Sequence, residues 1–164
     1  MSEYVRSPII EITVYGTPAP QGSKSFKGIS GGRGIMVESS KKVKPWRDAV
    51  RADAIVERQA MTAFAVLDEP LYAEMVFTFV RPRSHYRTGR NAHLLRDGAP
   101  DRPSAKPDVS KLCRSTEDAL TDAGIWRDDA RVVEYTRLAK VFAGEDKDAL
   151  DSPGAVIRVY RNIG

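Results

Sequence analysis

A single cysteine, Cys113, excludes an internal disulfide and any cysteine-built metal cluster, and the two histidines, His85 and His93, cannot complete a zinc site by themselves. No apolar run approaches the roughly 18 residues of a membrane span, so no membrane partner is expected. The charged start, Met1 to Arg6, is not followed by an unbroken apolar stretch and a small-residue cleavage site, which makes a cytoplasmic location the expectation rather than secretion. A phosphate-cradling Gly-x-x-x-x-Gly-Lys-Ser/Thr register is missing, because Ser23 separates Gly22 from Lys24; no nucleotide cofactor is expected. Internal repeats are also absent. Chemistry must therefore come from carboxylates, hydroxyls or amines.

What is present begins with charge. A composition of 41% hydrophobic and 29% charged residues over 164 positions suits one folded domain, taken as 1–164. The net charge of +4 hides an asymmetry. Between Arg81 and Arg114, nine Lys/Arg face three Asp, a balance of +6 that seeks a polyanion. Between Ser115 and Asp151, ten acids face five bases, a balance of −5. Each run alone reads equally well as a solvated face. Side by side they fit an enzyme acting on nucleic-acid phosphates, which needs acids to bind cations and bases to bind phosphate.

Periodicity supplies the elements. Ile9 to Tyr15 alternates like a half-buried strand, and residues 17–34, rich in Gly, Pro, Ser and Lys, read as a flexible loop. Lys24 and Arg33 in that loop are candidate phosphate contacts. Lys44 to Met61 has helical spacing, with Trp46, Ala49, Val50 and Ala54 on one side and Pro45 in the first turn. Its start carries Lys41, Lys42, Lys44, Arg47 and Arg51, which read equally as bases that help hold DNA or as a solvated helix end. Residues 71–80 read as a buried central strand. The aperiodic segment 81–107 reads as a substrate-contacting arm that orders on binding, with Arg83, Arg87 and Lys106 as DNA contacts and His85, Tyr86 and His93 as base or sugar contacts. From Val109 to Ala123, the residues Val109, Leu112, Cys113, Thr116, Ala119, Leu120 and Ala123 form one helical stripe, placing Cys113 on the packed side. Asp108 is its N-cap, Gly124 its terminator, and Ser110, Arg114, Glu117 and Thr121 line the opposite face. Strands over 132–142 and 155–160 complete the chain.

Magnesium takes oxygen ligands, usually one or two carboxylates with water, and promotes phosphodiester cleavage. Asp108 at a helix start and Asp129 after the same helix can supply them if the chain doubles back. Taken singly, Asp108 is an ordinary N-cap, and Asp128 and Asp129 an ordinary polar turn. The stretch Lys106 to Ala130, KPDVSKLCRSTEDALTDAGIWRDDA, resembles the signature of the RusA family of Holliday junction resolvases: Asp-x-Asp-Asn-Leu-x-Lys opening a helix, Asp-Ala-Leu near its end, then Gly, an aromatic residue and Asp-Asp. The close match covers about a sixth of the chain.

The resemblance implies an α+β fold with a mixed sheet against two main helices. It implies metal-binding roles for Asp108 and Asp129, with Asp128 as a further acid, and Mg²⁺ as cofactor with Mn²⁺ as a substitute. Further implications are a homodimer that cuts four-way or branched DNA by paired nicks, and a phage or prophage setting in a bacterial cytoplasm. Three positions depart from the family pattern. Ser110 replaces its second aspartate, and Arg114 replaces its basic lysine; Lys111 stands where asparagine is usual. Asp128 or Glu117 could compensate for Ser110. Arg114 could balance transition-state charge or merely pair with Asp118, and with Lys111 it is a candidate DNA contact. The alternative to an active resolvase is a branched-DNA-binding protein with weak or no cleavage.

Overall fold

Strict alternation makes the first strand: in β1 (Ile10–Tyr15) the apolar Ile10, Ile12 and Val14 are buried while Glu11, Thr13 and Tyr15 face out. The computed structural model describes residues 6–22, 24–30, 33–38 and 41–162, with 24–30 and 33–38 described by their backbone alone. The element order is β1, β2 (Lys24–Ser30), β3 (Arg33–Glu38), α1 (Val43–Ala60), β4 (Leu71–Phe79), α2 (Val109–Asp122), β5 (Val132–Phe142) and β6 (Gly154–Arg161). The result is one small α+β domain. No helix among the described residues is long and apolar enough to cross a membrane.

The main sheet has the order β1-β6-β4-β5, with β6 antiparallel to both its neighbours and β4 parallel to β5. A parallel neighbour needs a long crossover, and here the arm and α2 provide it. Both helices lie on one sheet face. There Trp46, Val50 and Ala54 of α1 and Leu112, Ala119 and Leu120 of α2 bury against Ile12, Met75, Phe77 and Ile157. The two helices are tied by a buried hydrogen bond in which the Trp46 indole N–H donates to Thr116 Oγ1 at 3.1 Å. The other face is ionic. Arg158 bridges Glu11, Glu74 and Asp148 across the strands, and Arg137 grips Asp146 and Asp148.

The expected loop over 17–34 is corrected: Lys24–Ser30 and Arg33–Glu38 pair as an antiparallel hairpin. Gly and Ser mask the alternation in composition, although the Gly31-Gly32 dipeptide between two runs is itself a hairpin signal. The side chains of Lys24 and Arg33 lie outside what the structure describes.

The arm, 81–107, is aperiodic as expected, yet it is built. Short 3-10 turns at Arg83–His85 and Gly89–Asn91 and a bridge between Tyr86 and Leu95 fold it on itself. Arg87 N–H donates to Leu94 O at 2.8 Å and Arg96 N–H to His85 O at 2.8 Å. Its root is fixed by Arg81, only 8% exposed, which forks onto Glu145 at 2.6 and 2.8 Å and donates to Pro100 O. The guanidinium also stacks 4.1 Å from the Phe142 ring centre. Internal hydrogen bonds of this number explain order in a segment that lacks any apolar period.

Candidate active site

The turn that carries Asp129 is positioned by the end of α2. Gly124 closes the helix with φ of +74°, a left-handed position that favours glycine. A Cβ there would strike Arg58, whose Nη1 donates to Ala123 O at 2.9 Å. The chain then clips onto the segment before β4: Leu67 N–H donates to Ile125 O at 3.0 Å, and Arg127 N–H donates to Leu67 O at 2.9 Å. Buried Trp126 anchors the clip through its indole N–H to Thr121 Oγ1 at 2.8 Å. A 3-10 turn, Asp129–Arg131, follows, and Asp128 Oδ1 caps it by accepting from Ala130 N–H at 2.8 Å.

The acids here are not neutralised as those of the ionic face are. Burial pushes the Asp129 carboxyl above the ordinary carboxylate range, and neighbouring Asp128 and then Asp118 push it the same way. Asp128 is held low by the Ala130 N–H and by sharing a hydrogen bond with Asp129. Glu117 is also raised, first by burial, although Tyr135 opposes this by donating its hydroxyl to Glu117 Oε2 at 2.9 Å; Asp129 and Asp118 add to the rise. Asp129, Asp128, Asp118 and Glu117 therefore act on one another. Tyr135 as the clamp on Glu117 has no local sequence signal, since it arrives on β5 from 18 residues away.

Asp108 stands at the other end of α2. Its backbone caps the helix, accepting from Lys111 and Leu112 N–H at 3.1 Å, while its side chain makes no cap hydrogen bond and is exposed. The side chain's ion-pair partner is Lys111, with Nζ at 3.8 Å from Oδ2. Glu117 lies nine residues further on, roughly 13 Å along the helix axis. Asp108 borders a cavity of about 350 Å³ shared with Lys42, Lys106 and Lys111. Lys42, one of the helix-start cations with DNA contact among its readings, enters from the foot of α1. Lys140, which sequence reading missed, holds the chain just before Asp108 by donating to Ala105 O and Pro107 O at 2.8 Å each. The Lys106–Pro107 peptide between them is cis.

Ser110 and Arg114 are exposed one turn apart on α2, and Arg114 forms no ion pair among the described residues, so the pair with Asp118 is not made. Cys113 packs in the core as expected, and burial first of all pushes its thiol up to about 12, which removes it as a nucleophile at neutral pH. In the arm, Arg83 is exposed, while Arg87 is engaged with Asp97 and Leu95 O. Arg81 is withdrawn from the basic surface altogether. The half-buried His85 contacts Arg81 through Nδ1 and packs edge-on to Phe142. His93 is exposed and Tyr86 half-buried. Among the described residues, no three His, Cys, Asp or Glu side chains come close enough together to hold a metal ion.

A family model described as endodeoxyribonuclease RusA matches residues 16–160, from the end of β1 through nearly all of β6. The match takes in both helices, the arm and every acid of the candidate site. Among curated proteins, none matches the chain.

Proposed function

The chain belongs to the RusA family of endodeoxyribonucleases, and from that premise we propose that it is a magnesium-dependent, structure-specific endonuclease that resolves four-way DNA junctions by paired, symmetric cleavage. The observation that carries this reading is the Asp108 cavity: a carboxylate free of its capping bond, at a helix start, among three lysines. An anionic phosphate suits the lysines and the helix N-terminus, whose first N–H groups lack intrahelical acceptors. A carboxylate among them needs a different function from phosphate binding.

The donors are hard oxygens, which suit Mg²⁺ or Mn²⁺, and the upward push on Asp129 is the strain that a nearby dication relieves. The family resemblance gives the metal-holding role to Asp108 and Asp129, with Asp128 as a further acid; the two stand at opposite ends of β5, since Lys140 near its end holds Pro107 O, so each would serve an ion of its own rather than share one. When bound, Mg²⁺ would supply polarisation of the phosphate and an activated water. The remaining work falls to the chain itself. Lys106, Lys111 and Lys42 seat the phosphate beside Asp108, and Arg114 offsets the charge that develops in the transition state. Arg83 and Arg87 in the arm, with Lys24 and Arg33, extend contact along the backbone of the branched DNA. A homodimer would place two such sites on two strands by two-fold symmetry.

A second reading is favoured by the absence, among the described residues, of a three-donor cluster, together with Ser110 at the family's second aspartate. It is a protein that binds branched DNA and cleaves weakly or not at all. The deciding experiment is cleavage of a labelled, partly mobile four-way junction in Mg²⁺, beside Asp108→Asn and Asp129→Asn. The resolvase reading expects paired nicks from the native chain, cut by about 10²-fold or more in each variant, with junction binding retained. Tight binding without nicks in Mg²⁺ or Mn²⁺ establishes the second reading.

A further inference from the structure

Where the arm folds back across the ends of β4 and β5, it leaves a second cavity of about 170 Å³. It is lined by the half-buried rings of Phe79 from β4 and His85 from the arm and by buried Phe142 from β5, whose ring carries the Arg81 guanidinium, and Ser104, Ala105, Lys106 and Pro107 line it as well. Phe79, Lys106 and Pro107 border both this cavity and the one that holds Asp108. The two spaces are thus neighbours separated by one stretch of chain. For scale, a protein cavity of about 150 Å³ accepts a benzene ring.

We propose that this cavity receives one nucleobase, turned out of the stack at the branch point, beside the phosphate that Asp108 attends. This rests on the nuclease reading of the neighbouring site. The size and the partly exposed rings of Phe79 and His85 suit a flat ring, because a base stacks on an aromatic side chain whatever its identity. Lys140 lines the cavity, and two of its three ammonium protons are spent on Ala105 O and Pro107 O. The third is left for an acceptor on the edge of the base. Every base has such an acceptor, so Lys140 fixes orientation rather than identity. Lys106, exposed between the two cavities, is placed to hold the phosphate that joins the turned-out nucleotide to its neighbour. Other apolar occupants do not explain why the pocket adjoins a lysine-ringed cavity. Unstacking costs least at a branch point, where base pairing is already interrupted.

The test uses four-way junctions carrying 2-aminopurine at successive positions around the exchange point, bound by the full chain without divalent metal. Binding is followed separately by gel shift. One position next to the exchange point is expected to brighten by about two-fold or more as its base leaves the stack. Ala105→Phe and Ser104→Phe, which fill the cavity from its wall, are expected to bind the junction and abolish that rise. An undiminished rise in both variants, or a bound junction with no responding position, overturns the proposal. Failure of the native chain to bind the junction at all overturns the nuclease reading and this inference with it.

Discussion

Aspartates of the same intrinsic chemistry sit in two opposite environments in this chain. Asp146 is held well below the usual carboxylate range, first by its hydrogen bonds with Arg137 and despite burial. Asp148, which burial alone would push up, is brought down by Arg158 and Arg137. Asp129 has no such cation and is pushed up. Neutralised acids build structure, while the crowded acids are where the proposed metal would supply the missing charge. The acidic run after Ser115 is therefore two populations, one locking the turn between β5 and β6 and one facing the candidate site. A pH-dependent stability follows for the first. Because folding depresses the Asp146 pKa, its contribution is complete above the unfolded value of about 3.9 and is lost as pH falls through the lower folded value. Asp146→Asn is expected to lower unfolding stability by about 2 kcal/mol at pH 7, with Arg137 keeping Asp148 as partner. Denaturant melts of both proteins should converge as pH drops below about 4. A gap that persists unchanged at low pH would mean that the loss comes from packing rather than from the ion pair.

At the scale of elements, α2 organises the site, with Asp108 at its start and, beyond its glycine stop, the turn of Asp128 and Asp129. Its stripe, its capping position and Gly124 were all legible in the sequence, because a regular 3.6-residue period writes itself into residue order. So were β1, α1, β4, β5 and β6 to within a residue or two. The hairpin of β2 and β3 was not, since glycines and serines break the alternation that marks a strand. The contents of the arm were also hidden: the burial of Arg81 depends on Glu145, 64 residues away, and no local pattern encodes such a partner. The same holds for Tyr135 on Glu117 and Lys140 beneath Pro107. The stop at Gly124 can be tested directly. Gly124→Ala places a side chain at positive φ and against Arg58, which must release Ala123 O. A loss of about 1–2 kcal/mol is expected from strain and the broken bond together. Nicking should fall by more than global unfolding explains, because the glycine sets the exit toward Asp129; unchanged nicking at a temperature where the variant is fully folded would show that the turn is positioned by the Leu67 clip alone.

For the whole molecule, the question is how much of its positive charge is available to DNA. The segment Arg81 to Arg114 carries nine cations in the sequence, but the fold withdraws Arg81 into the interior, ties Arg96 to Tyr86 O and Arg102 to Asp146, and pairs Lys111 with Asp108. Arg83, Arg87, Arg90, Lys106 and Arg114 remain on the surface, Arg87 in a 3.4 Å contact with exposed Asp97, and each phosphate contact there releases condensed counterions. Charge in the sequence and charge left on the surface thus differ, and a salt titration separates them. Junction affinity plotted as log K against log salt should fall steeply for the native chain. Arg83→Gln and Lys106→Gln should each make the slope shallower by about one unit, with thermal stability unchanged. Arg81→Gln should do the reverse: it leaves Glu145 without its fork and Phe142 without its cation, costing on the order of 2 kcal/mol of stability. Its salt slope should match that of the native chain wherever the protein is folded. A shallower slope for Arg81→Gln would place that guanidinium at the DNA after all, and would require the arm to open from its root when the junction binds.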